Sequence, residues 1–172
     1  MKVRDAMTRS VAACTQDETL NRAAQLMWDN DCGCVPVLDQ SGAVTGIITD
    51  RDVCMGAYTQ GLPLRDISVR SAMSTVVVSC SPEDSVESAL ALMRQNKIRR
   101  LPVTDGGRPV GILSLGDVMR VLRSSRQDRR PEGTPGEVWE TFAVICEPGT
   151  AARVDGGRRE SRDAPKYASA GR

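Results

Sequence analysis

Residues 46–53 read GIITDRDV and residues 111–118 read GILSLGDV. The echo extends well beyond that block. Val3-Arg4-Asp5-Ala6-Met7-Thr8 returns as Val69-Arg70-Ser71-Ala72-Met73-Ser74, and Cys14-Thr15 returns as Cys80-Ser81, both at an offset of 66. Leu26-Met27 with Leu92-Met93, Val35-Pro36-Val37 with Leu101-Pro102-Val103, and Asp39 with Asp105 keep that register. One residue is then lost in a turn, and Gly46, Thr49 and Asp52 match Gly111, Ser114 and Asp117 at an offset of 65. Such a tandem duplication requires two copies of one supersecondary unit, residues 1–65 and 66–124, neither large enough to bury a strong core alone.

Hydrophobic periods give the unit its form. Val11 to Cys14 and Val76 to Cys80 are short β-prone runs. Thr15 with Glu18, and Ser81 with Asp84, have the spacing of a capping box, while Thr19 and Ser85 serve equally well as helix caps. Leu20, Ala23, Ala24 and Met27 fall at i, i+3, i+4 and i+7, as do Val86, Ala89, Leu90 and Met93, so each copy has a helix with one buried stripe. CVPVLD and LPVTD then read as strands, DQSG and DGG as turns, and AVTGIIT and PVGILS as returning strands. A second helix follows Thr49 or Ser114. The predicted fold is α/β (α+β): two β-α-β-β-α repeats packed sheet to sheet about a pseudo-two-fold axis.

Composition removes several classes of function. Lys and Arg total 23 against 22 acidic residues, and aromatics are 3% of the chain, which counts against a nucleic-acid surface. MKVRDAMTRS has no signal-peptide core, and no segment has the ~18 apolar residues of a membrane span, so a cytosolic protein is expected. The six cysteines match no disulfide framework and read as free thiols. Cys32-Gly33-Cys34 could begin a zinc site, but a closed site needs about four ligands and the chain has no His. There is likewise no His for general-base work, no GxSxG, no Walker loop and no dinucleotide fingerprint, so no enzyme is expected.

The duplicated Met-Thr/Ser lead-in, the aliphatic-Pro-Val strand and the Gly-aliphatic-aliphatic-Thr/Ser-x-x-Asp-Val block, in this order twice over residues 1–124, resemble the cystathionine-β-synthase (CBS) domain in its tandem pair, in the layout of stand-alone bacterial CBS-pair proteins. The resemblance implies a regulatory module that binds an adenosyl compound (AMP, ADP, ATP, S-adenosylmethionine or NAD) in clefts between the repeats. No cofactor is required. It also implies a homodimer and a regulated protein of unknown identity.

By that resemblance Asp52 and Asp117 would hold ribose, with Thr49 and Ser114 beside them facing a phosphate at a helix start. Val35-Pro36-Val37 and Leu101-Pro102-Val103 would lie along adenine, and Thr15 and Ser81 would fall at further ligand contacts. The copies differ in charge: KIRRLPV places Lys97, Arg99 and Arg100 beside the second proline strand, where the first has DCGCVPV. The second cleft is therefore expected to prefer a phosphorylated ligand. Arg51 opposes the dipole of its helix start, which suits a residue reaching for a ligand or an acid. A competing reading gives both Thr/Ser-x-x-Asp blocks capping duty alone, in a ligand-independent dimerising scaffold.

Residues 125–172 change character. Four prolines and six glycines lie among scattered arginines, which predicts a largely irregular tail. EVWETFAVICE, residues 137–147, holds two of the five aromatics and is expected to be an ordered island, a short strand or turn of helix, docked on the repeats.

Overall fold

The computed structural model describes residues 1–124 and 135–146. In the first repeat, β1 (Cys14–Thr15) runs parallel to β2 (Cys34–Leu38), which pairs antiparallel with β3 (Val44–Thr49). In the second, β4 (Arg100–Asp105) pairs antiparallel with β5 (Arg108–Ser114). The third strand position is reduced there to a single parallel bridge from Cys80 to Val103.

Each sheet carries its repeat's helices. The helix α2 (Leu20–Asp29) is capped by Thr19, which accepts from Arg22 N at 3.3 Å, and α4 (Val86–Asn96) by Ser85, which accepts from Ser88 N at 3.1 Å. The earlier acid pairs close the turn before the helix instead: Thr15 N donates to Glu18 Oε2 at 2.6 Å and Ser81 N to Asp84 Oδ2 at 2.8 Å. Both helices are left at equivalent positions in left-handed backbone, Asp31 at φ 46° and Lys97 at φ 52°. The second helices are α3 (Asp50–Gln60) and α5 (Leu115–Ser124).

The proline strands are buried on both faces: Cys34 to Val37, and Leu101, Pro102 and Val103, all lie below the surface. Alternation sends Val35 and Val37 toward α2, and Leu101 and Val103 toward α4, each into its own repeat's cluster. The two hairpins meet where Val44 N donates to Gly107 O at 3.0 Å. Full burial of a Leu such as Leu101 or Leu113 contributes about 1.5–3 kcal/mol.

The lead-ins cross over. The short helix α1 (Val3–Ala6) packs in the second repeat's core, and Thr8 bridges Ile112 of β5. Ile67 and Val69 pack in the first repeat's core, and Ser74 bridges Ile47 of β3. Each repeat thus completes its sheet with the segment that introduces the other.

Residues Pro135–Cys146 form a helix, α6, longer than the strand or single turn expected. It lies on α4 and α5, with Val138 4% exposed in the second repeat's core and Glu140 paired to Arg94 at 3.1 Å. The rest of the tail read as irregular, 125–134 and 147–172, lies outside the described residues. No described helix is long and apolar enough to cross a membrane.

Candidate functional site

The repeated phrase ends each returning strand at the start of a helix, and the capping geometry orients its carboxylate. In the first repeat Asp52 Oδ2 accepts from Thr49 N at 2.9 Å and from Thr49 Oγ1 at 2.7 Å, while Asp52 N donates back to that hydroxyl at 3.2 Å. In the second, Asp117 Oδ2 accepts from Ser114 N at 2.8 Å and Ser114 Oγ at 2.5 Å. One carboxylate oxygen is thereby consumed by the cap in each copy, leaving Oδ1 outside the cap.

The two Oδ1 atoms have different neighbours. Asp117 Oδ1 accepts from Thr8 Oγ1 at 3.3 Å and is ion-paired to Arg120, in a side chain only 6% exposed. Among the described residues no protein group donates to Asp52 Oδ1, and Ser74, the counterpart of Thr8, donates to Val76 O at 3.3 Å instead. Thr8 and Arg120 belong to the site's geometry without having been singled out in the sequence. The duplicated Met-Thr/Ser lead-in was the available signal for Thr8, and Arg120 had none beyond its place one turn after Asp117.

Sheet register sets the neighbouring residues. Cys34 lies opposite Thr49 and Arg100 opposite Ser114, so each proline strand begins beside its own repeat's hydroxyl. The Arg100 side chain does not stay there. A Cβ on Gly33 would lie 2.8 Å from Arg100 Nη2 and 2.9 Å from Asp50 Oδ2, which puts the guanidinium at the start of α3 in the first repeat. Arg99 is exposed, and its carbonyl accepts from Leu115 N at 3.0 Å. Arg51 is exposed, with its amide donating to Asp50 Oδ1 at 2.8 Å and no ion pair among the described residues. Thr15 and Ser81 stand at the turns before α2 and α4, and the Ser81 hydroxyl accepts from Glu83 N at 3.3 Å.

A cleft of about 460 Å³ opens between α2 and α3, lined by Ala24, Met27, Trp28, Gly33, Asp50 and Arg100 among others. Neither Thr49 nor Asp52 lines it, so it is separate from the capped carboxylates. Trp28 is 87% exposed at its edge.

The described thiols Cys14, Cys32, Cys34, Cys54 and Cys80 are free. Burial pushes Cys34 up to about 11, against the opposing pull of Arg100, so Cys34 carries little thiolate at neutral pH. Among the described residues no three His, Cys, Asp or Glu side chains gather as a metal ion would require.

The family model for the CBS domain matches residues 3–56 and 65–124. A CBS domain-containing protein of Bacillus subtilis, YhcV, is 42% identical over 118 residues, covering 67% of this chain and 81% of its own. The crystal structure of hypoxic response protein I with two coordinated zinc ions superposes with a TM-score of 0.63 at 28% identity, over 70% of this chain and 98% of that one. The CBS domain pair of protein MJ0100, in complex with 5′-methylthioadenosine and S-adenosyl-L-methionine, gives 0.66 at 22% identity over 73% and 98%, a likeness of fold. With the block Gly-aliphatic-aliphatic-Thr/Ser-x-x-Asp present in both repeats and both matched by the family model, the chain belongs to the CBS domain family as a tandem pair.

Proposed function

We propose that the protein is a regulatory sensor that binds an adenosyl compound in the clefts between its two repeats and passes the bound state to a partner protein or to the interface of a homodimer. The observation that carries this reading is the repeated carboxylate, Asp52 and Asp117, each with Oδ2 fixed by its cap and Oδ1 outside the cap. A ribose offers two adjacent hydroxyl donors, and a preoriented carboxylate receives them without first losing rotamer freedom. The bound adenosyl ligands of the MJ0100 pair, which shares this fold, support the ligand class.

The remaining roles follow from placement. Val35-Pro36-Val37 and Leu101-Pro102-Val103 form the strands along which adenine lies; a proline, lacking an amide proton, leaves base-edge recognition to neighbouring backbone groups. Thr49 and Ser114, at the starts of α3 and α5, face a phosphate together with first-turn amides. Arg100 supplies a guanidinium to the first repeat, where Arg51 also stands, in place of the expected service to the second. The protein's part is binding, and a ligand that prefers one packing of the two repeats biases that packing.

A second reading, a dimerising scaffold that needs no ligand, draws on the exposed Trp28, Met55 and Tyr58 of α2 and α3, an apolar face suited to another copy of the chain. Thermal unfolding against AMP, ADP, ATP, NAD and S-adenosylmethionine separates the two. A ligand at 100 times its dissociation constant stabilises by about 2.7 kcal/mol, a rise in midpoint of roughly 5–10 °C. The sensor reading expects such a rise with at least one ligand and its loss in Asp52→Ala or Asp117→Ala. No rise with any of the five, from a folded dimer, leaves the scaffold.

A further inference from the structure

We infer that Arg120 is a latch on the ribose-binding carboxylate of the second repeat, so that this cleft admits a phosphorylated ligand in preference to the bare nucleoside, while in the first cleft no arginine has to leave the ribose carboxylate. The inference rests on the adenosyl reading above and assigns the two clefts different ligand chemistry.

The asymmetry is built from three pairs of equivalent residues. Asp117 and Asp52 are capped alike through Oδ2, so the two carboxylates differ at Oδ1. Thr8 donates to Asp117 Oδ1, whereas Ser74 turns to a backbone carbonyl. Arg120, one turn along α5, pairs with the same Oδ1, whereas its counterpart on α3 is Met55, which has no charge to offer. The atom that a ribose would use is open in one cleft and covered in the other.

Arg120 is suited to be displaced. Its side chain is 69% exposed, its carboxylate partner 6%, so the guanidinium swings out into water while Asp117 stays fixed by Ser114. A neutral nucleoside reaching Asp117 must break this pair and leave the guanidinium unmatched. A nucleoside phosphate with its ribose on the same carboxylate carries its anion beside the start of α5, within the sweep of the long Arg side chain. Arg120 then exchanges a carboxylate for a phosphate, and no charge is left unpaired. A partly exposed ion pair of this kind corresponds to a few-fold to tenfold penalty on the neutral ligand.

The test compares adenosine and AMP by isothermal titration of the full chain in an Asp52→Ala background, which isolates the second cleft, with and without Arg120→Met. Methionine is the residue the first repeat carries at this place, and the exposed position tolerates it. The latch expects Arg120→Met to strengthen adenosine binding about three- to tenfold, to weaken AMP binding, and so to lower the AMP-to-adenosine ratio by more than threefold. Arg120→Lys, which keeps the charge without the fork, falls between. A ratio unchanged within twofold while both ligands still bind overturns the latch and leaves the adenosyl reading standing. Absence of AMP and adenosine binding in every variant and in the unmodified chain overturns the latch, and extension of that silence to the whole ligand panel overturns the adenosyl reading too.

Discussion

The guanidinium of Arg100 lies against the α-carbon of Gly33, although the two residues belong to different repeats and stand 67 positions apart. Space, not backbone conformation, favours glycine at position 33, whose backbone is not in the left-handed region. Any β-carbon would meet Arg100 Nη2 at 2.8 Å and Asp50 Oδ2 at 2.9 Å, and it is the long Arg side chain that would give way. Gly33→Ala is therefore expected to fold with its melting midpoint within about 2 °C of the parent, because the atoms crowded are flexible ends at the surface. Its affinity for a nucleotide phosphate should fall about five- to tenfold with adenosine binding unchanged. Equal nucleotide affinity in the two proteins would remove Arg100 from the first cleft.

The crossed lead-ins depend on two other glycines. A Cβ on Gly111 would lie 2.5 Å from Met7 Sδ and 3.1 Å from Thr8 O, and one on Gly46 would lie 2.9 Å from Met73 Sδ and 3.0 Å from Ser74 O. Those carbonyls belong to segments held by backbone bonds, Thr8 N to Ile112 O and Ser74 N to Ile47 O, both 2.9 Å, and cannot retreat as a side chain can. Overpacking of this kind costs about 1–3 kcal/mol, or roughly 2–4 °C per kcal/mol at this chain length. Gly111→Ala and Gly46→Ala should both melt below the parent by about this amount, since each β-carbon meets a held carbonyl at 3.0–3.1 Å. Calorimetry that finds Gly111→Ala as stable as the parent would show that the lead-in is not seated on β5.

Much of this was legible because a duplication states each signal twice. The helices over Leu20–Asp29 and Val86–Asn96, both hairpins and the Thr49–Asp52 and Ser114–Asp117 boxes follow from periodicity and cap chemistry, which are local. What escaped is what depends on the pseudo-two-fold relation of the repeats. Val3 and Ile67 look like the start of their own units, and nothing in their neighbours reveals that each is buried in the other's core. Arg100 reads as a member of the second cleft from its strand, while its side chain ends in the first repeat. The choice of Thr19 over Thr15 as cap was open because both have the right chemistry, and tertiary contact decides it: Leu20 N donates to Ile67 O at 2.8 Å, which starts the helix there. Helix α6 was underestimated for a related reason, since the proline and glycine that open it read as tail while Val138 finds its partners only on the folded second repeat.

The buried thiols give the last expectation, with a sign that can be worked out. Burial raises Cys14, Cys34 and Cys80 from 9.0 to about 11, with Glu18 adding to the rise at Cys14 and Asp84 at Cys80. At pH 8 a group at 11 is about one part in a thousand thiolate, the reactive form. Brief alkylation of the native chain should therefore mark the exposed Cys54 and spare these three, which label only on unfolding. The same displacement links stability to pH. The folded state holds protons on these sulfurs that the unfolded state releases above pH 9, so the contribution is complete below 9 and is lost as pH rises to about 11. The displacement corresponds to about 2–3 kcal/mol per thiol at most. Urea unfolding should show a steep loss of stability between pH 9 and 11, made shallower in Cys80→Ala, whose slope should be reduced by one proton's share. A slope identical in the parent and in Cys80→Ala would mean that this sulfur is not held protonated by the fold.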